Sequence, residues 1–179
     1  MAQKKDLAGK SVLAVIAPRQ FRDEELFEPK SILEGRGAAV TVASTSTETA
    51  KGMLGGYAQP AKVIADCKVD DYDAVIVVGG MGSPQHLWQN TALHQLLREA
   101  YAKGKVVAGI CLSGAVLANA GILEGKRATV YRTDQSLAAL KAGGATYTGT
   151  PLEIDGKVIT AEGPTVASRF GEAIAKALA

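Results

Sequence analysis

The sequence predicts an α/β sandwich with a mostly parallel central sheet. Segments typical of strands alternate along the chain with segments typical of helices. The strand segments are continuous apolar runs, as in Asp73–Val78, which has no polar face and is therefore expected to be covered on both sides. Together these two observations indicate helices packed on both faces of one sheet.

The first half of the chain supplies two strands and a helix. Ser11–Ala17 is a short apolar run that predicts a buried strand, and Ala38–Ala43 predicts the second. Between them, Asp23–Gly35 has an apolar side typical of a helix, which Pro29 is expected to bend or interrupt. The glycine-rich segment Lys51–Pro60 predicts a small hairpin.

The second half repeats the alternation. Asp73–Val78 ends at Gly79-Gly80, and Thr91–Lys103 has leucines on one side of a predicted helix. Asp155-Gly156 is a strong hairpin signal between two short apolar runs. The remaining predicted elements are a strand at Val106–Ile110 with a helix after it, a strand at Ala128–Tyr131, a helix at Gln135–Ala142, hairpin strands at Leu152–Asp155 and Lys157–Thr160, and a final helix at Pro164–Ala179.

Length and composition predict one domain over residues 1–179, with about residues 1–10 as a loose N-terminal tail. The 179 residues are 47% hydrophobic, which is enough for one core, and neither a linker nor a repeat is visible. The net charge of +2 has no basic block, so nucleic-acid binding is not expected. Without a membrane-length apolar run or a signal peptide, we expect no membrane association and a cytoplasmic location. Two cysteines and two histidines suggest neither a disulfide framework nor a metal site.

Cys111 lies where a predicted strand turns into a predicted helix, within GKVVAGICLSGAVLANAG. Gly109 two residues before it and Ser113 two residues after it have the spacing of a nucleophile elbow. The helix begins near Leu112, so free N–H groups and the positive end of the helix dipole would face the sulfur. On this basis we predict a depressed pKa for Cys111. The alternative is a buried cysteine that fills a small space in the core, which is also our interpretation of Cys67.

Three segments in this order, YDAVIVVGG, GKVVAGICLSGAVLANAGIL and VITAEGP, resemble the ThiJ/PfpI superfamily. The likeness extends from about Ser11 to the C-terminus. It implies a flavodoxin-like three-layer sandwich, related to the class I glutamine amidotransferase fold, and an oligomer that is usually a dimer. It also implies that Cys111 is the functional centre.

The resemblance assigns further site residues. The family has a glutamate four positions before a proline of the first helix, and here Glu25 stands four before Pro29. Its carboxyl is expected to hydrogen-bond the Cys111 sulfur; without the family it would be interpreted as surface charge. Gly80 matches a family glycine whose N–H faces the cysteine, and with the N–H of Leu112 it is expected to form an oxyanion hole. The alternative for Gly80 is a plain turn glycine.

The sequence departs from the family at its histidines. Leu112 stands where the peptidase branch has a histidine, and leucine is no general base. Tyr131 stands where other members have a histidine, and tyrosine is a poor base near neutral pH. His86 is a possible substitute as proton shuttle or substrate contact, although a surface position is preferred for it and for His94. Trp88 is expected to pack on the sheet or at a subunit interface.

Three functions follow from the resemblance. The first is an enzyme of the glyoxalase or deglycase type, with thiolate Cys111 attacking a small reactive carbonyl and Glu25 moving protons, without metal or cofactor. The second is a redox-sensing, chaperone-like stress protein in which an oxidant converts Cys111 to a sulfinate. The third is a PfpI-type cysteine peptidase, which Leu112 disfavours. The expected partners are thus a small carbonyl substrate or an oxidant, and a second copy of the chain.

Overall fold

A computed structural model describes residues 4–179 of the chain. Its strands, in chain order, are β1 Ser11–Val15, β2 Arg19–Phe21, β3 Ala39–Ser44, β4 Ala50–Gly52, β5 Tyr57–Ala58, β6 Lys62–Val63, β7 Ala74–Val77, β8 Val106–Ile110, β9 Arg127–Ala128, β10 Thr146–Tyr147, β11 Leu152–Asp155 and β12 Val158–Ala161. Its α-helices are α1 Asp23–Gly35, α2 Ser83–His86, α3 Thr91–Ala102, α4 Gly114–Asn119, α5 Asp134–Ala142 and α6 Ala167–Leu178. Short 3₁₀ turns occupy Ile64–Asp66, Val69–Asp71, Cys111–Ser113 and Pro164–Val166.

Seven strands form the central sheet in the order β11-β12-β8-β7-β1-β3-β6. All neighbours run parallel except β11, which pairs antiparallel with β12 across the predicted Asp155-Gly156 turn. Because the strands are parallel, the carboxyl ends of β1, β7 and β8 meet at one edge of the sheet. The chain segments that follow these strands therefore come together there.

Helices cover both faces of this sheet. Along β1, Val12 and Ala14 belong to one core cluster, whereas Leu13 and Val15 belong to the other, as the two-residue period of a strand requires. The first cluster includes buried side chains of α1 and α6, and the second includes those of α3, α4 and α5. The predicted three-layer α/β sandwich is confirmed.

Helix α1 continues through Pro29, so the expected interruption does not occur. The buried Pro29 packs against α6, where a Cβ on Gly171 would lie 2.9 Å from the Pro29 Cα. This close approach requires glycine at 171. The proline ring thus fills the contact between the two helices that share one face of the sheet.

The N-terminal segment is more ordered than we expected. Residues 1–3 of the predicted loose tail lie outside the described residues, but Leu7 is fully buried and its N–H donates to the Arg36 carbonyl at 2.9 Å. Arg36 also binds the Asp6 carboxylate. The expectation of a loose tail is therefore wrong for residues 6–10, because an apolar side chain and an ion pair fix them beside α1.

The predicted hairpin is confirmed as β4 and β5, and it joins β2 in a small second sheet. Asp23, at the start of α1, accepts hydrogen bonds from the N–H groups of Leu54 at 2.7 Å and Gly56 at 2.8 Å. A Cβ on Gly52 would lie 2.4 Å from the Asp23 Oδ1. The tip of the hairpin is thus fastened to the helix that also carries Glu25.

Asp23→Ala should release the hairpin. Two hydrogen bonds to a largely buried carboxylate are lost, so we expect unfolding to become easier by about 1–3 kcal/mol. Amide hydrogen exchange should accelerate most at Leu54 and Gly56, measured by mass spectrometry or NMR. Glu28→Ala on the same helix is the control, and equal exchange in both variants would contradict the role given to Asp23.

Candidate active site around Cys111

Cys111 follows β8 in a strained backbone conformation. Its φ is +59°, a left-handed value that residues with a Cβ rarely adopt outside constrained sites. Gly109, two residues earlier, has no room for a side chain, since a Cβ there would lie 2.8 Å from Leu117 Cδ1 and 3.0 Å from the Ser113 carbonyl oxygen. The strand-to-helix turn predicted at Cys111 has the geometry of a nucleophile elbow.

Glu25 lies beside this cysteine although it is fully buried. Its Oε1 accepts a hydrogen bond from the Gly79 N–H at 3.1 Å. A Cβ built on Gly79 would lie 2.6 Å from that Oε1 and 2.7 Å from the Cys111 Cβ, so the carboxyl and the cysteine flank one point. Interpreting Glu25 as surface charge is therefore wrong.

Two backbone N–H groups point at the Cys111 sulfur, those of Gly80 and Leu112. Gly80 has φ +108°, and a Cβ there would lie 2.3 Å from the Gln20 carbonyl oxygen and 2.5 Å from the Arg22 nitrogen. Glycine is thus required at position 80 by its conformation and by the close approach of β2. The structure places both predicted donors beside the sulfur.

Burial, with the charge of Glu25 as the next cause, raises the pKa of Cys111 to about 12, although the two N–H groups lower it. The depressed pKa that we predicted from the elbow is therefore wrong in direction. The sequence predicted the turn whose N–H groups lower the pKa of Cys111. It did not predict that Cys111 is only 6% exposed, and burial of a thiolate raises the pKa.

Burial likewise raises the pKa of Glu25 to about 8, although Cys111, the Gly79 N–H and the Arg22 charge lower it. Glu25 Oε2 has no hydrogen-bond partner of good geometry among the described residues, so it is the oxygen placed to carry a proton. A protonated Glu25 is neutral and therefore does not repel a thiolate at Cys111. The two acids thus titrate as a coupled pair, and the thiolate forms more readily while the carboxyl keeps its proton.

Arg22 is a component of the site that we did not predict. Its guanidinium binds Glu24 through Nε at 2.8 Å and Nη2 at 3.0 Å, and it lies close enough to Glu25 and Cys111 for their charges to raise its pKa. Glu24 holds this cation at the rim. Arg22 directly precedes the predicted helix, and this position was the only signal in the sequence.

Hydrogen bonds of three side chains, Ser83, Trp88 and Ser113, connect the segment after β7 to the elbow. The buried Ser113 hydroxyl donates to the Val78 carbonyl at 2.6 Å and lies 2.7 Å from the buried Ser83 hydroxyl. The Trp88 indole donates to the Leu112 carbonyl at 2.9 Å. His94 is buried, contrary to our expectation of a surface position, because its Nε2 lies 2.7 Å from the Trp88 carbonyl oxygen.

The other two candidate contacts occupy different places. Tyr131 is half exposed, and its N–H donates to the Cys111 carbonyl at 3.1 Å. With Arg132 and Gly163 among its neighbours, it lines a cavity of about 410 Å³ next to the elbow. His86 instead lines a separate cavity with Arg19, and neither Cys111 nor Glu25 contributes to its walls.

Within residues 4–179, no cluster of three or more His, Cys, Asp or Glu side chains is arranged to hold a metal ion. No helix among these residues has the length and hydrophobicity to cross a membrane.

Comparison with known proteins identifies the family. A sequence profile of the DJ-1/PfpI family matches residues 10–177, so the chain belongs to that family. An uncharacterized protein of Methanocaldococcus jannaschii is 47% identical over 176 residues, covering 98% of this chain and 86% of that protein. The crystal structure of a ThiJ/PfpI domain protein from Brachyspira murdochii superposes with a TM-score of 0.88 at 34% identity, covering 95% of this chain and 98% of the other. The predicted family and its flavodoxin-like fold are confirmed.

Some relatives have names that describe an activity. A Caenorhabditis elegans protein named glutathione-independent glyoxalase is 29% identical over 171 residues, which cover 96% of this chain and 90% of that protein. Two Pyrococcus proteins named deglycases are 30% and 28% identical over about two thirds of this chain.

The buried carboxyl makes stability depend on pH. In the unfolded chain Glu25 ionises near 4.5, but in the fold its pKa is about 8. The fold therefore loses stability as pH rises between these values, because the unfolded chain releases the proton first. Glu25→Gln cannot ionise, so it should be more stable than wild type by on the order of 4 kcal/mol near pH 8, with little difference at pH 4.

Thermal or urea unfolding of both proteins at several pH values measures this difference. Glu28→Gln removes a carboxylate from the same helix at a partly exposed position and is the matched control. A constant offset between Glu25→Gln and wild type at all pH values would contradict the raised pKa.

Proposed function

We propose that the protein is a cysteine-dependent enzyme that acts on small reactive carbonyls such as 2-oxoaldehydes, with chemistry of the glyoxalase or deglycase type. The observation that carries this proposal is the juxtaposition of the Cys111 sulfur, the buried carboxyl of Glu25 and the N–H groups of Gly80 and Leu112. The names of the glyoxalase and deglycase relatives support it. The free thiols also fit the cytoplasmic location that we propose with it.

The proposed reaction begins with the thiolate. Sγ attacks the aldehyde carbon, and the carbonyl electron pair moves to oxygen, where the N–H groups of Gly80 and Leu112 stabilise the oxyanion. Glu25 donates its proton to this oxygen and becomes a carboxylate. The carboxylate then takes the hydrogen of the attacked carbon as a proton, which leaves an enediolate, and returns it to the adjacent carbon. The hydroxyl proton on the attacked carbon's oxygen passes to the oxygen of the adjacent carbon, and a 2-hydroxy thioester remains. Addition of water releases a 2-hydroxy acid and regenerates the thiol.

The raised pKa of Glu25 suits both steps. A carboxyl with a pKa of about 8 carries its proton at neutral pH and yet accepts one readily after giving it up. The raised pKa of Cys111 leaves little thiolate at neutral pH, so we expect slow turnover that increases as the pair deprotonates.

The alternative is a redox sensor, and one observation favours it. The raised pKa of Cys111 slows oxidation as it slows nucleophilic attack, because the thiolate is the reacting form in both, so the support comes from the backbone donors. The two N–H groups that point at the sulfur would hydrogen-bond the oxygens of a sulfinate. This alternative differs from the enzyme in lacking turnover.

A peptidase of the PfpI kind has less support. Leu112 is a buried leucine at the position of the peptidase histidine. His94 is committed to the Trp88 carbonyl, and His86 lines a separate cavity. Neither histidine is therefore placed as the base that a Cys–His mechanism requires.

Turnover of methylglyoxal tests the proposal. Wild type should form lactate, and Cys111→Ser should lose at least a thousandfold in kcat/KM, because it removes the nucleophile. Cys67→Ser should retain wild-type turnover, since Cys67 lies outside this site. Turnover with Cys111 intact should rise by up to tenfold per pH unit below about pH 8 as the pair loses its first proton.

No turnover, together with peroxide-dependent addition of two oxygens to Cys111 in the mass spectrum, would reject the enzyme in favour of the sensor. Peptide hydrolysis by wild type would favour the peptidase instead.

We also propose that the chain forms a homodimer through an exposed apolar surface. This surface, here called the hairpin patch, consists of Phe27, Met53, Leu54, Tyr57 and Met81. In this patch Phe27 contacts the hairpin near Gly56, and the Met53 sulfur accepts a hydrogen bond from the Met81 N–H. Leu54 is 62% exposed and Tyr57 65%, which is unusual for large apolar side chains grouped together.

Sedimentation velocity should find a dimer for wild type and a monomer for Leu54→Asp, because a carboxylate would be buried in the interface. Ile154→Asp is the control, since Ile154 is an exposed apolar residue on the distant strand β11. A monomeric wild type would reject the dimer.

A further inference from the structure

A crevice lined with basic side chains lies beyond the carboxyl ends of three neighbouring strands. Pro18 and Arg19 follow β1, Thr45 and Ser46 follow β3, and His86 follows β7. The crevice has a volume of about 480 Å³. Strand β1 lies between β3 and β7, so this is the point where the strand order reverses and where α/β sheets commonly bind ligands.

Two cations in this crevice lie directly opposite one another. Arg19 and Lys51 are register partners in the parallel pairing of β2 with β4. Like charges in opposite positions destabilise a strand pair. Both residues are exposed, and within residues 4–179 neither has a carboxylate within 4.0 Å. The fold thus holds the backbones of two cationic residues side by side without a carboxylate partner in the described chain, and the Lys51 ammonium lies over the Tyr57 ring at 6.0 Å.

The backbone at this pair is also strained. Gln20, between Arg19 and Phe21, has φ +56°, and the ladder is irregular at the same place. A positive φ at a residue with a long side chain is uncommon and persists where the surrounding structure imposes it. The strained residue thus lies directly beside the pair of cations.

The cavities on the two sides of the pair differ in chemistry. Besides its basic residues, the crevice has three hydroxyl side chains, those of Thr45, Ser46 and Thr49, and a single carboxylate, Glu48. The second cavity, about 420 Å³, is lined by Arg19, Lys51, Gln20, Gly52 and Met53. Its wall includes the Met53 thioether and the Gly52 backbone.

We propose that Arg19 and Lys51 together bind the phosphoryl group of a small molecule, with His86 and the crevice hydroxyls as further contacts. An anion between the two cations removes their repulsion, and a guanidinium presents paired N–H donors that match phosphate oxygens. The hydroxyls of Thr45 and Ser46 donate to the remaining oxygens, and the crevice itself, with about 480 Å³, has room for the organic part of the ligand. This site is separate from Cys111 and does not depend on the proposed enzymatic function.

Titration with inorganic phosphate, followed by NMR amide shifts, tests this site against sodium chloride at equal ionic strength. We expect saturable shifts at Arg19, Lys51 and Thr45–Thr49 with phosphate and none with chloride. Arg19→Gln and Lys51→Gln should each weaken binding at least tenfold. Lys68→Gln, an exposed lysine outside the crevice, should leave the dissociation constant unchanged.

Stability without phosphate separates lost binding from lost folding. Lys51→Gln should have an unchanged or higher Tm in phosphate-free buffer, because one member of the repelling pair is gone, and phosphate should no longer raise it. Equal shifts with phosphate and chloride, or tenfold weakening in neither variant, would overturn the proposal.

Glycerol phosphate identifies the ligand class. Tighter binding than inorganic phosphate supports a phosphate monoester, and equal binding supports the free ion at the same site. The titration is repeated with Cys111→Ser, where binding should persist. If phosphate binds but methylglyoxal is not turned over, only the enzymatic function is rejected. If methylglyoxal is turned over but phosphate does not bind, only the phosphate site is rejected.

Discussion

The centre of this structure is organised by the burial of two acids at one point, the Glu25 carboxyl and the Cys111 thiol. Burial raises the pKa of both groups, and the charge of Glu25 raises the pKa of Cys111 as well. Space for them exists only because Gly79 lacks a side chain, since a Cβ would meet both Glu25 and Cys111. Three backbone segments must therefore meet here with little freedom of position: the start of α1, the end of β7 and the end of β8.

The surrounding contacts maintain this convergence through the backbone. Gly80 is pressed against β2, Ser113 bonds to the end of β7, and Trp88 bonds to the carbonyl of Leu112. These contacts fix the backbone around the N–H groups of Gly80 and Leu112, which point at the Cys111 sulfur. Preorganised donors of this kind need not reorient when charge develops, which is the condition for strong electrostatic stabilisation.

The sequence predicted the sandwich, its major elements and the elbow because long apolar runs and glycine signals are local. Strands β2, β6 and β10 have only two or three residues, too few for any periodicity, and they were missed. Glu25 and Gly80 could be assigned only through the family resemblance, since no local pattern distinguishes them from surface charge and a turn. Burial of Glu25, Cys111 and His94 is a property of the assembled fold, and this is why the direction of the Cys111 pKa was wrong.

One short segment joins the two regions to which we assign function. Arg19 faces the crevice, the Gln20 carbonyl and Phe21 pack against Gly80, and the Arg22 charge acts on Glu25. Four consecutive residues thus lie in turn beside a basic crevice, the Gly80 backbone donor and the buried carboxyl of Glu25. Gln20 has a positive φ, and Gly80 has no space for a side chain beside it, so the backbone of this segment packs tightly against the loop after β7. The same short segment therefore borders both the Glu25–Cys111 pair and the cations that lie outside that site.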